Sequence, residues 1–364
     1  MRKTMLYIAF STLMFSSMEI ALKAAGGAFN PIQLNLIRFL IGGIVLLPIA
    51  LRALSKQQHH LTKADWGLFF LTGLVCVIVS MTLYQLAITV DEASTVAVLF
   101  SCNPVFALIF SYLILHERLG RANLIAVVVS IIGLIVIVNP AHLTNPLGLV
   151  LAISSALTFG LYSIVSRWGS VRHHFNGITM TCFTFLAGSL ELFVLMMITH
   201  IPAVAGGMRQ VGWLSNFAAL PILKNISMQY FWLLFFIGVC VTGGGFAFYF
   251  LAMERSDVST ASLVFFIKPG LAPIMAAVLI HEHILPNTIV GIVIILVGSV
   301  ITFMGNRVKA RESQLAEQDA TVPASEFQQA PTAKADQLEA KLEADLEAKL
   351  EAKMEAKRDP SSTD

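Results

Sequence analysis

The stretch from residue 84 to residue 117, YQLAITVDEASTVAVLFSCNPVFALIFSYLILHE, is matched 165 positions later by residues 249 to 282, YFLAMERSDVSTASLVFFIKPGLAPIMAAVLIHE. The two stretches align without a gap and share a first tyrosine, a Ser-Thr pair, a phenylalanine, a proline and a closing His-Glu. Earlier segments match as well, with Phe15 aligned to Phe159 and Asn30 to Asn176. The chain therefore contains an internal duplication.

The composition places both copies in a membrane. Of the 364 residues, 56% are hydrophobic and 13% are charged, and the mean hydropathy is +0.77. Soluble domains carry about 25% charged residues. The apolar residues form runs close to the ~20 residues that a helix needs to cross a bilayer, where the backbone must satisfy its own hydrogen bonds. We predict an all-α integral membrane protein with ten transmembrane helices, at residues 5–25, 31–51, 66–87, 94–115, 123–139, 147–166, 178–201, 230–253, 259–280 and 287–305.

Each copy of the duplication holds five predicted helices. An odd number means that the second copy enters the membrane from the opposite side, so the fold is predicted to be two inverted five-helix repeats. The first repeat covers residues 1–139, the second covers 140–306, and a charged cytoplasmic tail follows at 307–364. Inverted repeats are typical of secondary transporters, in which two equivalent halves open a midplane site to each side in turn.

The positions of Lys and Arg predict the orientation. With a cytoplasmic N-terminus, the outer segments hold only Arg209 and Lys224, both in the long loop before span eight. This is the positive-inside bias, and it places both termini in the cytoplasm. The predicted inner segments hold Arg2, Lys3, Arg52, Lys56, Lys63, Arg118, Arg121, Arg167, Arg172, Arg255, Arg307, Lys309 and Arg311.

The chain resembles the EamA-type branch of the drug/metabolite transporter superfamily over about residues 5–305. The resemblance is carried by the two five-helix repeats, by Arg38-Phe39 in the second helix, and by a proline in each fourth helix ahead of an acidic residue: Pro104 with Glu117, and Pro269 with Glu282. It implies a proton-linked or facilitated carrier of small metabolites, often an exporter.

Lys268 is the first candidate site residue. It lies about ten residues into span nine, or about 15 Å at 1.5 Å per residue, which is close to the midplane. Pro269 removes a backbone donor next to it and is expected to open the helix there, and Asn103-Pro104 is the equivalent pair in span four. Matched helix breaks indicate a transport site. The alternatives for Lys268 are a structural ion pair or lateral snorkelling.

Glu19 and Arg38 lie at similar depth in spans one and two. Ionisable groups at that depth cost at least about 2.5–3.5 kcal/mol, so each needs a partner or a cavity. A mutual salt bridge is the simplest interpretation, and a proton-coupling carboxylate at Glu19 is the alternative. Tyrosine and serine side chains in spans three, six and eight are further candidates for solute contact or for helix packing: Tyr84, Tyr249, Tyr162 and Ser163.

Taken together, these residues predict a secondary transporter. We expect it to move a small metabolite, an amino acid or related organic solute, across the bacterial plasma membrane by alternating access, in the export direction. A proton-coupled uptake carrier or a lipid flippase is the alternative. Nothing resembles a nucleotide-binding loop or a hydrolase motif, so an enzyme is disfavoured. The expected partners are the solute, the bilayer and, for a proton-linked carrier, protons. No nucleic acid, cofactor or metal is expected, and the protein is expected to be a monomer or weak homodimer.

Overall fold

In the computed structural model, residues 2–116, 121–138, 145–255 and 263–321 are described, and these form helices, turns and short connections without a strand. The chain divides into two compact units, Met1–Arg307 and Val308–Asp364. Residues 308–321 of the second unit are helical. Most of the predicted tail, together with Glu117 and the start of predicted span nine, lies outside the described residues.

The first half begins with a span in two pieces, which meet at Ser17. A π-helical segment, Leu74–Ser80, separates the two α-helices of span three. In chain order the helices of this half are α1 (Arg2–Ser16), α2 (Met18–Ala25), α3 (Pro31–Gln57), α4 (Lys63–Gly73), α5 (Met81–Val90), α6 (Ala93–Phe100), α7 (Asn103–Leu115) and α8 (Arg121–Val138).

The second half has a similar order of helices, with a longer connection between its second and third spans. A second π-helical segment, Phe236–Gly244, lies within span eight, and a 3₁₀ turn at Gly212–Phe217 lies in the long loop. The helices are α9 (Pro146–His173), α10 (Gly177–Ile198), α11 (Pro202–Gln210), α12 (Phe231–Phe235), α13 (Gly245–Arg255), α14 (Leu263–Leu279) and α15 (Pro286–Thr321).

Seven helical stretches in the described residues are long and apolar enough to cross a membrane. They are Lys3–Ala25, Pro31–Gln57, Lys63–Val90, Ala93–Leu115, Pro146–His173, Gly177–Ile198 and Met228–Ala252. Three shorter apolar helices lie where spans five, nine and ten were predicted: Leu124–Ile137, Leu263–Leu279 and Pro286–Ile301. The protein is therefore an all-helical, multi-pass membrane protein.

Equivalent helix ends in the two halves use the same local chemistry. Asn30 and Asn176 each accept a backbone N–H at the start of the second span of their half, at 2.9 and 2.8 Å. A side-chain acceptor at this position satisfies a donor that the first turn leaves unpaired. His116 and His281 end the fourth spans with the same left-handed backbone, φ 54°. The duplication thus extends from sequence to helix boundaries.

The first span of each half packs against helices of the other half. The first span, α1, contacts α13 and α14, whereas its counterpart α9 contacts α5 and α7. The second spans of the two halves, α3 and α10, contact each other. In the sequence duplication, α5 corresponds to α13 and α7 to α14. The first span of each half therefore contacts the third and fourth spans of the other half.

Close glycine contacts between α8 and α15 show the same reciprocal packing at single residues. A Cβ at Gly133 would lie 2.8 Å from Ile295, and a Cβ at Gly298 would lie 2.6 Å from the Ser130 hydroxyl. Moving Ser130 and Gly133 forward by 165 positions gives Ile295 and Gly298. Small residues let helix backbones approach closely in a membrane. The contact between α8 and α15 is therefore made twice, once from each half.

The two predicted proline breaks differ. In span four the helix does stop: α6 ends at Phe100 and α7 begins at Asn103. Pro104 cannot donate to the Phe100 carbonyl, and the Asn103 side-chain amide donates to that oxygen instead, at 2.8 Å. In span nine the expected opening at Pro269 is wrong, because α14 continues through Pro269 and on to Leu279. Proline φ is compatible with a helix, and the Lys268 side chain binds Glu19 rather than its own helix.

Candidate functional site

A buried ion pair joins the two halves of the protein. Lys268 Nζ on α14 lies 2.7 Å from Glu19 Oε1 on α2, and the two residues are 4% and 1% exposed. The fully buried Tyr84 hydroxyl donates to the same carboxylate oxygen. The other oxygen, Glu19 Oε2, is buried and has no hydrogen-bond partner in the described part of the chain. Each charge of this buried pair would be costly without the other, because burial removes its hydration.

Arg38 on α3 lies nearby, and its partners are neutral. Its Nε and one terminal nitrogen both donate to Asn35 Oδ1 at 3.1 Å. The remaining contacts are with sulfur atoms: Met18 Sδ at 3.5 Å and Met81 Sδ at 3.4 Å. The guanidinium also lies 4.4 Å from the centre of the Phe39 ring.

Lys268 and Arg38 border a small cavity, called here the Lys268 cavity, of about 50 Å³. Its wall is mainly aromatic and aliphatic, with few polar groups. The lining residues are Phe15, Met18, Arg38, Phe39, Cys76, Met81, Phe100, Ser101, Asn103, Pro104, Phe159, Phe185, Val241, Thr242, Phe246, Phe265 and Lys268. The Lys268 ammonium lies 5.3 Å from the centre of the Phe100 ring. Cations over aromatic faces are attracted by the ring quadrupole.

The structure brings together most of the predicted site residues and corrects one predicted contact. Lys268, Asn103 and Arg38 line the Lys268 cavity. Glu19 pairs with Lys268, and Tyr84 donates to Glu19. The expected Glu19–Arg38 salt bridge is wrong, because Glu19 pairs with Lys268 and Arg38 with Asn35. Glu19 and Arg38 lie at similar depth in neighbouring spans, but depth alone does not reveal which way a side chain points or which helix it meets.

The other three predicted residues lie away from the lining of this cavity. Tyr249 packs its ring on Phe265 at 5.1 Å, and Tyr162 packs on Phe159 at 5.2 Å. The Ser163 hydroxyl donates back to the Phe159 carbonyl at 2.9 Å. The two tyrosine rings thus pack on phenylalanines that line the cavity, and Ser163 bonds to its own helix, which agrees with the packing alternative.

A polar group near the end of the first span joins residues of both halves. We call Lys23, Asp91 and Glu282 the outer cluster, because the distribution of Lys and Arg predicts that this end of the span lies outside. Glu282 accepts from the backbone N–H groups of Ala93 and Ser94, at 2.7 and 2.9 Å, where α6 begins. Lys23 Nζ lies 3.9 Å from Glu282 and donates to the Asp91 carbonyl. Burial raises the pKa of Asp91 above its usual value. The outer cluster ties the first half to Glu282 of the second.

A second polar group was missed in the sequence. Asp65 caps α4 together with Thr62, and its other oxygen lies 2.5 Å from His173 Nδ1 at the end of α9. The Thr-x-x-Asp spacing of a capping box was readable at positions 62 to 65. The contact with His173 was not, because it joins residues from different halves.

A larger groove lies elsewhere, between α3, α10 and the segment before span eight. Its volume is about 920 Å³, and its walls are almost wholly apolar. The lining residues are Leu36, Ile37, Leu40, Ile41, Leu186, Ser189, Leu190, Phe193, Ile222, Leu223, Ile226, Ser227, Met228, Phe231, Leu234, Phe235 and Val239. Because none of these is charged, the groove lacks the chemistry of the Lys268 cavity.

Multi-pass helices, exchanged packing between halves and a charged pair beside an internal cavity define a membrane transporter. Comparison with known proteins agrees: the chain matches the EamA-like transporter family over residues 2–139 and 146–304. The chain belongs to this family, whose members are transporters and not enzymes.

Relatives show the same class across most of the chain. An uncharacterized transporter of Clostridium kluyveri is 32% identical over 84% of this chain and 95% of its own. A probable terminal-alkyne amino-acid exporter of Streptantibioticus cattleyicolor is 24% identical over 60% of this chain and 67% of its own. A protein crystal structure matches with a TM-score of 0.55 at 18% identity, over 84% of this chain and 97% of that one, which is a likeness of fold.

Proposed function

We propose that the protein is a secondary transporter that exports a small amino acid or related organic solute by alternating access. The observation that carries the proposal is the buried Glu19–Lys268 pair, 2.7 Å apart, beside the Lys268 cavity. One partner comes from each half of the chain. A change in how the halves pack must therefore change the environment of both charges.

The inverted arrangement of two five-helix repeats is part of this proposal. It is supported by the exchanged contacts of α1 and α9, and by an odd number of predicted spans in each half. Equivalent halves of opposite orientation can swap conformations around a shared site. The distribution of Lys and Arg supports cytoplasmic termini, and we propose the bacterial plasma membrane as the location.

The size of the Lys268 cavity favours a closed state. Small-molecule pockets occupy about 300–1,000 Å³, whereas this cavity has about 50 Å³. A solute can therefore occupy the site only when the halves separate on one side. The outer cluster is the contact that such an opening would break on its face.

The proposal is tested by transport in liposomes that contain the purified full chain. We expect accumulation or release of an amino acid with an apolar side chain, and we expect Lys268→Ala to abolish it, because the charge beside the cavity is lost. Lys56→Ala is the matched control, since Lys56 is exposed near the end of α3. Unchanged transport by Lys268→Ala would overturn the role of Lys268. Failure of the unmodified protein across a solute screen would overturn the function.

Proton coupling is tested in the same liposomes by imposing a pH gradient. The unpaired Glu19 Oε2 supports a proton-binding role for this carboxylate. If protons are coupled, transport follows the gradient and Glu19→Gln loses that response. Uptake driven by an inward proton gradient would favour the uptake carrier over the exporter.

Movement of a lipid or amphiphile is the second candidate function. It is favoured by the apolar groove of about 920 Å³ between α3 and α10. Fluorescent lipid that changes leaflets in liposomes with the protein, and not without it, would support this alternative. Such activity should survive Lys268→Ala, because Lys268 does not line the groove.

A further inference from the structure

We propose that Arg38 is an anion-binding residue of the Lys268 cavity, and that it receives the carboxylate of an organic acid whose remaining part is apolar. The inference rests on the proposed transport function and names the chemical class of its solute.

The first argument is charge. Arg38 is 1% exposed, and a guanidinium stays protonated in proteins. Among the described residues, no carboxylate lies within ion-pair distance of it, because Glu19 is bound to Lys268. One carboxylate therefore faces two cations, which leaves the site with one net positive charge. A buried charge without a counter-ion is costly, so a ligand anion would be strongly favoured there.

The second argument is how Arg38 is held. Asn35 Oδ1 accepts from two of its nitrogens at 3.1 Å, while the Asn35 amide donates to the Val77 carbonyl at 2.8 Å. Val77 belongs to the π-helical segment Leu74–Ser80. The Asn35 amide is thus oriented by a backbone carbonyl and in turn orients the guanidinium. Neutral oxygen and sulfur contacts position the cation without cancelling its charge.

The third argument is the apolar character of the remaining wall of the Lys268 cavity. Seven phenylalanines line the cavity together with Met18 and Met81. Aromatic walls of this kind bind apolar groups through area burial and ring contacts. A ligand that satisfies both Arg38 and this wall has a carboxylate at one end and an apolar, preferably aromatic, group at the other.

Three probe molecules separate the parts of this ligand. 3-Phenylpropanoate has the carboxylate and the ring, phenylalanine adds an ammonium group, and phenylalaninamide keeps the ammonium group but lacks the carboxylate. Equilibrium binding is measured on the purified full chain with radiolabelled 3-phenylpropanoate. We expect phenylalanine to compete with the label and phenylalaninamide to compete much less.

The variants separate anion binding from a structural role. Arg38→Met removes the charge and keeps much of the side-chain length, and we expect at least about a tenfold loss of affinity for 3-phenylpropanoate. Without ligand, we expect its melting temperature to equal or exceed that of the unmodified protein, because an uncompensated buried charge is removed. Arg52→Met is the matched control on an exposed position of the same helix.

Either of two results would overturn the assignment. Equal affinity of Arg38→Met and unmodified protein for 3-phenylpropanoate would remove Arg38 from the binding site. Unfolding of Arg38→Met, while Arg52→Met stays folded, would show that Arg38 is a structural residue. If transport in liposomes is normal and only the Arg38 effects are missing, the anion site fails and the transporter stands. If neither transport nor binding occurs with unmodified protein, both fail.

Discussion

Glu19 and Lys268 show how two charged side chains can connect distant parts of this chain. Each is a charge that the membrane interior excludes unless it has a partner. They meet at 2.7 Å although 249 positions separate them in sequence (268 − 19). Tyr84 supports the carboxylate from the first half. The pair therefore links the two halves directly, in addition to its proposed role at the cavity.

A double-mutant cycle measures this contact. We expect Glu19→Gln alone to reduce the free energy of unfolding by about 3–5 kcal/mol, because Lys268 is left as an unpaired buried charge. Combining Glu19→Gln with Lys268→Met should restore most of the loss, since no charge is then left without a partner. Thermal unfolding in detergent gives both values. Equal losses in the single and double variants would contradict a coupled pair.

The depth of these residues was predictable, whereas their partners were not. The position of Lys268 along span nine follows from counting residues in an apolar run. Its contact with Glu19 depends on how two helices from different halves pack against each other, and the depth of each residue does not record that packing. Arg38 was therefore predicted to pair with Glu19 in the adjacent span, whereas in the structure it donates to Asn35.

At the level of elements, glycine contacts hold the spans together. Gly73 on α4 lies against Gly188 on α10, where an added Cβ would be 2.6 Å from the Gly188 backbone nitrogen. No real Cβ contact is that short, and a backbone atom cannot rotate away as a side chain can. The two helices can approach this closely only because both residues lack a side chain.

Substitution at this contact should separate the helices. We expect Gly73→Ala to lower the free energy of unfolding by about 1–3 kcal/mol, the usual cost of overpacking. Gly67→Ala on the same helix is the control, because its Cβ would meet nothing within 4 Å. Better helix propensity should leave Gly67→Ala equal or up to about 1 kcal/mol more stable. Thermal unfolding of both variants in detergent gives the comparison, and similar losses in the two would contradict the close contact.

Element boundaries were predicted well where the chain has clear stop signals. The break in span four at Asn103-Pro104 was anticipated, and the asparagine side chain completes it. Span nine carries two prolines and still continues as α14. A proline removes one hydrogen bond, and whether the helix ends depends on what replaces that bond. The π-helical segments left no recognisable sequence signal.

For the whole molecule, the outer cluster is the contact that the proposed alternating access would have to break on one face. Glu282 of the second half caps α6 of the first, and Lys23 contacts both Glu282 and the Asp91 carbonyl. Charge-assisted bonds to backbone N–H groups are among the stronger protein hydrogen bonds. Opening this face would require all of them to separate.

Accessibility of Cys76 tests this closure, because Cys76 is buried and lines the Lys268 cavity. In a protein whose other three cysteines are replaced by alanine, we expect Glu282→Gln to speed labelling of Cys76 by a membrane-impermeant maleimide from the outer face. Loss of the charge weakens both the cap and the contact with Lys23. Glu92→Gln is the control, since Glu92 makes no side-chain capping bond to α6. Equal labelling of the two variants would show that Glu282 does not hold this face closed.

The two π-helical segments also carry information about ancestry. Shifting Leu74–Ser80 by 165 positions gives residues 239–245, which overlap the second segment, Phe236–Gly244. A π turn accommodates one extra residue in a helix, and the same irregularity within one span of each half is most simply inherited from a single progenitor. If the two predicted repeats arose by duplication, the widened turn was already present in the single repeat before it was copied.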